Sequence, residues 1–147
     1  MRLQAVRGPA VRTRALDGLH VLVVEDAEDT RELLATILVQ HGATVDAVES
    51  VAAAREALAR TVPSVLVSDI GMRGEDGYTL IRELRRRTDA LRAMPAVALT
   101  AYAGIDDRRR ALREGYDAHL AKPVEPDELV AVIADLTPAG GSRMETA

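Results

Sequence analysis

Five times along this chain a short aliphatic run is followed by a stretch of helical pattern, and that alternation leaves few ways to fold. The runs are Val21 to Val24, Thr44 to Val48, Val65 to Val67, Ala96 to Leu99 and Asp117 to Ala121. The third sits between the breaker Pro63 and Asp69, and its unbroken Val-Leu-Val reads as a strand buried on both faces. Strands of that kind belong in the middle of a parallel sheet covered by helices. Helical signals follow each run. Glu28 and Asp29 open a helix that carries Leu33, Leu34, Ile37 and Leu38 on one face and stops at His41-Gly42. Ser50 caps a helix from Val51 to Arg60 with Val51, Ala54 and Leu58 on one side. Gly77 opens a third, with Leu80, Ile81 and Leu84 facing inward and Arg85 to Arg87 toward water. Asp106 to Glu114 is a polar helix closed by Gly115, and Pro126 starts a last one with Leu129, Val132, Ile133 and Leu136 in step. Five strands alternating with five helices predict an α/β three-layer sandwich with right-handed crossovers.

Composition narrows the function classes. At 147 residues with 48% hydrophobic and 29% charged, the chain is sized for one domain with a real core. With three Tyr and no Phe or Trp, that core is aliphatic. A net charge of -4 argues against sequence-independent nucleic-acid binding, which needs a positive field. The absence of cysteine excludes disulfides, thiolate zinc sites and cysteine nucleophiles. No apolar run has membrane-spanning length and no secretory signal opens the chain, so the expected location is cytoplasmic, with no membrane partner. Residues 1–17 hold Arg2, Arg7, Arg12, Arg14 and a Gly8-Pro9 break without periodicity, and read as a flexible basic arm. Their arginines also admit an organellar targeting peptide, against which stand the missing serines and amphipathic face. The folded domain is expected over 18–137, with a disordered Pro/Gly/Ser tail over 138–147.

In an open parallel sheet, ligands bind beyond the carboxyl ends of the strands. Those ends carry Glu25 and Asp26, then Asp69, Thr100 and Lys122. Singly, each has a plainer use: an acid after a strand caps a turn, Glu25-Asp26 would suit the first turn of the next helix, and Lys122 a solvated surface. Together they form a set. Three converging carboxylates repel one another unless a cation relieves them, and a hard ion such as magnesium prefers few carboxylates, waters and phosphate oxygens. A lysine and a hydroxyl opposite can hold a phosphoryl group, with one carboxylate as nucleophile forming an acyl phosphate.

The motifs VLVVED, VLVSDIGMRGEDGY, VALTAYA and AHLAKP, in that order and spacing, resemble the receiver domain of two-component response regulators from about Leu19 to Leu136. The resemblance implies a flavodoxin-like sheet in the order 2-1-3-4-5. It implies that Asp69 accepts a phosphoryl group from a phosphohistidine on a sensor histidine kinase or phosphotransfer protein. It further implies that Glu25, Asp26, Asp69 and the backbone carbonyl of Gly71 hold Mg2+, and that Thr100 and Lys122 contact the phosphoryl oxygens. The domain would catalyse its own phosphotransfer and dephosphorylation as a signalling phosphoacceptor rather than an enzyme. Phosphorylation would switch the surface of the last two strands and last two helices for partner binding.

There are departures from the family pattern. His119 stands three before Lys122, where the family's switch carries Tyr or Phe; it either replaces that switch with Thr100 or is a plain strand residue. Arg73 replaces a common proline, and Gly71 and Tyr102 occupy positions that influence phosphoryl lifetime. His20 and His41 sit at element ends, unlike a phosphotransfer histidine. Arg108 to Arg110 reads as a solvated face, with partner binding as the second choice, and Tyr78 and Tyr116 as packing residues. With only the short tail after the last helix, the reading is a receiver without its own effector, either a single-domain regulator or part of a hybrid histidine kinase. Two other classes compete. A haloacid-dehalogenase-type phosphatase needs an Asp two residues after the nucleophile, where Gly71 stands, and a pseudo-receiver would have lost the acids or the lysine.

Overall fold

The computed structural model describes residues 2–3, 14–72, 74–101 and 104–137. Its elements in chain order are β1 (Arg2–Leu3), β2 (His20–Val24), α1 (Glu28–Gln40), β3 (Thr44–Val48), α2 (Val51–Arg60), β4 (Val65–Asp69) and α3 (Gly77–Arg85). A short 3-10 helix (Ala90–Ala93), β5 (Ala96–Thr100), α4 (Ile105–Glu114), β6 (Ala118–Ala121) and α5 (Pro126–Leu136) complete it. The sheet runs β1-β3-β2-β4-β5-β6. All pairings are parallel except β1 on β3, so the five parallel strands stand in the order 2-1-3-4-5. The three-layer α/β architecture expected from the alternation is observed, and its strand order is the flavodoxin-like one that the family resemblance implied.

Every residue of β4 and β5 is buried, which is why their sequences lack polar alternation. Successive side chains enter opposite layers. Val65 and Val67 join Leu34, Leu38, Leu129 and Ile133 beneath α1 and α5, whereas Leu66 joins Leu80, Ile81 and Leu84 on the face of α2, α3 and α4. The sheet is thus the shared wall of two aliphatic cores.

Helix ends follow local chemistry. The Ser50 hydroxyl accepts from the Ala53 N–H at 3.0 Å, as its position before α2 suggested. Asp76 caps α3, taking the N–H groups of Tyr78 and Thr79 at 3.0 and 3.1 Å. After α1 the chain turns at Gly42, with φ +101°, where any Cβ would collide with Asp17.

Three local readings are corrected. Leu33 is 55% exposed, because it lies about 100° round the helix from Leu34, outside the arc that Leu34, Ile37 and Leu38 bury. Arg85 does not extend to water: its guanidinium donates to the carbonyls of Gly115, Arg92 and Met94 and meets Asp117. Leu16, assigned to the N-terminal arm, is fully buried in the core under α1. Arg2 and Leu3 pair with Asp46 and Val45 at the sheet edge. Residues 4–13, which include Arg7 and Arg12, and the tail 138–147 lie outside the described residues.

Candidate functional site

The parallel register brings four strand ends to one edge. Val24 stands beside Ser68, Asp69 beside Leu99, and Thr100 beside Ala121. The next residues along β2 and β6 are Glu25, Asp26 and Lys122. Glu25 is 1% exposed, Asp69 6% and Thr100 5%, so polar groups at this edge are sunk into the protein rather than solvated. One carboxylate oxygen each from Glu25, Asp26 and Asp69 lies within 4.8 Å of the others. Lys122 Nζ donates to Glu25 Oε1 at 2.6 Å and stands 3.3 Å from Asp69 Oδ2.

Backbone groups fix the acids. Glu25 Oε2 accepts the Ala27 N–H at 3.1 Å, and the Arg31 guanidinium donates to the Glu25 carbonyl at 3.0 Å. The Gly71 N–H donates to Asp69 Oδ1 at 3.0 Å, so the glycine folds the loop back onto the carboxylate. Burial, with help from the Asp69 charge, raises Glu25 above its ordinary value against the pull of Lys122. Burial also works against the Lys122 charge, but its hydrogen bond to Glu25 and the nearness of Asp69 outweigh it, and the ammonium is strengthened. Three carboxylates face one ammonium, an excess of two negative charges. Hard oxygen donors with that excess suit a divalent cation such as Mg2+, which chooses oxygen over nitrogen and sulfur.

Asp69, Gly71, Thr100 and Lys122 line one open cavity of about 400 Å³ with Asp76, Tyr78, Asp107 and Arg110. Sequence reasoning gathered the strand-end set. It passed over Asp76, whose signal was an acid directly before a helix start. It also passed over Asp107 and Arg110, which reach the cavity from the exposed turns of α4 and carry no strand-end signature. His119 lies on β6, away from the cavity lining, and its buried Nε2 has no hydrogen-bond partner among the described residues. Tyr78 and Tyr116 are buried, as expected of packing residues. Arg73 and Tyr102 lie outside the described residues.

The family model of the response regulator receiver domain matches residues 21–134. The chain belongs to the response regulator receiver family. An uncharacterized 14.6 kDa protein of Leptolyngbya boryana is 41% identical over 120 residues, 82% of this chain and 91% of that protein. Hybrid signal transduction histidine kinase D of Dictyostelium discoideum is 34% identical over 121 residues, 78% of this chain and 8% of the kinase. The chain spans about half the length, or less, of further curated relatives. Among solved structures, the receiver domain of sensor histidine kinase PA1611 from Pseudomonas aeruginosa aligns with a TM-score of 0.75 at 29% identity. That alignment covers 83% of this chain and 99% of that domain, which was solved with magnesium coordinated in its active-site cleft. This receiver domain is therefore homologous to phosphoacceptor domains of two-component signalling, and its acidic trio fits a magnesium-dependent phosphorylation site.

Proposed function

We propose that Asp69 is the phosphoacceptor, taking a phosphoryl group from the phosphohistidine of a sensor histidine kinase or phosphotransfer protein in the cytoplasm. The observation that carries this reading is the single ammonium of Lys122 shared between Glu25 at 2.6 Å and Asp69 at 3.3 Å inside a buried acidic trio. In the transfer an Asp69 carboxylate oxygen attacks phosphorus, and the P–N bond of the donor breaks. The imidazole nitrogen keeps the electron pair and takes up a proton. Glu25, Asp26, Asp69 and the Gly71 carbonyl would hold Mg2+, which supplies charge neutralisation for the incoming phosphoryl oxygens. Lys122 moves its donor hydrogen bonds from the carboxylates to a phosphoryl oxygen, and the Thr100 hydroxyl donates to another. The Gly71 N–H holds Asp69 Oδ1 and leaves Oδ2, the oxygen nearer Lys122, to react.

Hydrolysis of the acyl phosphate returns the carboxylate and resets the domain by its own groups. The switched surface is that of β5, α4, β6 and α5, with Thr100 at one end and His119 in place of an aromatic ring. Gly71 stands where a dehalogenase-type phosphatase would need its second acid, which favours the signalling role. Incubation with phosphoramidate, whose P–N bond imitates phosphohistidine, tests the reading. Phosphorylation that appears with Mg2+ and vanishes with a chelator supports it, and metal-independent labelling contradicts it.

A further inference from the structure

The arginine triplet of α4 divides by position. Arg110 alone of the three lines the cavity that holds Asp69, Thr100 and Lys122. Its guanidinium lies 4.3 Å from the centroid of the Tyr78 ring. Its ion pair with Glu114 is long, at 3.8 Å, because Arg82 already occupies both oxygens of that carboxylate at 2.7 and 2.9 Å. Arg110 is thus a permanent cation at the mouth of the site, held by a ring face and a carboxylate that has a better partner. A guanidinium offers a fork of donors that matches phosphate geometry. A cation over a ring at a half-exposed site is held more weakly than one hydrogen-bonded to a phosphate dianion.

Charge balance gives Arg110 a reason to move. A divalent ion cancels the excess of the acidic trio over Lys122, and conversion of the Asp69 carboxylate to a dianionic acyl phosphate then restores a negative excess of about one charge. Helix α4 is loosely seated toward its start: Gly104 provides no side-chain cap, Ile105 is 70% exposed, and Ala111 is the only fully buried residue of the helix. We propose that Arg110 is a second phosphoryl-binding cation, which leaves the Tyr78 ring for the phosphoryl oxygens when Asp69 is modified and so reports occupancy of the cavity to α4. This inference rests on Asp69 being the phosphoacceptor.

Beryllium trifluoride with Mg2+, a mimic of the phosphoryl group, separates the two ideas when bound to the full chain and followed by fluorine NMR. Arg110→Ala weakens its binding by about tenfold, the loss of one hydrogen bond between charged groups. Arg110→Lys recovers part of that loss, and Arg109→Ala, on the exposed side of α4, binds as the wild type does. In the wild type the Arg110 Nε–H resonance shifts on binding, a signature that a merely structural arginine would not give. Wild-type affinity in Arg110→Ala, equal weakening in Arg109→Ala, or an unmoved Nε–H overturns the inference and leaves the phosphoacceptor standing. Failure of the wild type to bind the mimic overturns both.

Discussion

The phenol of Tyr116 donates a 2.7 Å hydrogen bond to the carbonyl of Gly77, fastening the segment after α4 to the first turn of α3, directly behind the Asp69 loop. Burial raises the Tyr116 phenol well above its ordinary value, so it remains a donor. Gly77 has no room to spare: a Cβ there would sit 2.8 Å from both the Asp69 carbonyl and the Tyr116 hydroxyl.

Two substitutions probe that joint. Tyr116→Phe strands a buried carbonyl and is expected to cost about 1 kcal/mol in urea unfolding. Gly77→Ala is expected to cost more, because backbone rather than a flexible side chain must give way, and to slow phosphorylation of Asp69 as the loop shifts. Wild-type stability and labelling in Gly77→Ala would contradict this account of the loop.

The acidic trio predicts that function opposes stability. Asp69→Asn removes one of three mutually repelling carboxylates while its amide oxygen still accepts the Gly71 N–H. Without divalent ions, thermal melts should show it more stable than wild type by about 1 kcal/mol. Added Mg2+ should raise the melting temperature of the wild type much more than that of the variant, since the ion binds only the folded site. Equal magnesium shifts in the two proteins would remove Asp69 from the ligand set.

The sheet and the strand-end residues were legible because burial on two faces forces unbroken aliphatic runs, as in Val65 to Val67, and a parallel sheet aligns whatever ends them. Short elements were not. Arg2–Leu3 and Ala90–Ala93 are too brief to show a period, and the latter is marked only by the Asp89 carboxylate accepting the Leu91 N–H at 3.2 Å. Leu33 and Arg85 misled because periodicity gives a face but not its edges, and because a long side chain can fold back along the surface. Arg110 stayed hidden inside a triplet whose three members look alike until the helix is placed against Tyr78.

The Arg82–Glu114 pair carries a pH dependence. The bidentate hydrogen bond from Arg82 holds the Glu114 carboxyl below its ordinary value near 4.5. A carboxyl lowered in the folded state adds stability that is fully present above 4.5 and lost as pH falls through the depressed folded value. Arg82→Ala should therefore flatten the acid side of the stability profile below pH 4.5 and leave its shape near neutrality alone. The effect is modest, because the Arg82 side chain is 42% exposed and its charge screened. An unchanged acid limb would show that the pair does not differ between folded and unfolded chains.

The most direct measurement is intact mass after incubation with a small phosphodonor and Mg2+, on the wild type and on Asp69→Asn. One phosphoryl adduct on the wild type, mapped to the peptide containing Asp69 and absent from the variant, is the predicted result. An unlabelled wild type, or a variant labelled to the same extent, would contradict the assignment of Asp69 as the phosphoacceptor.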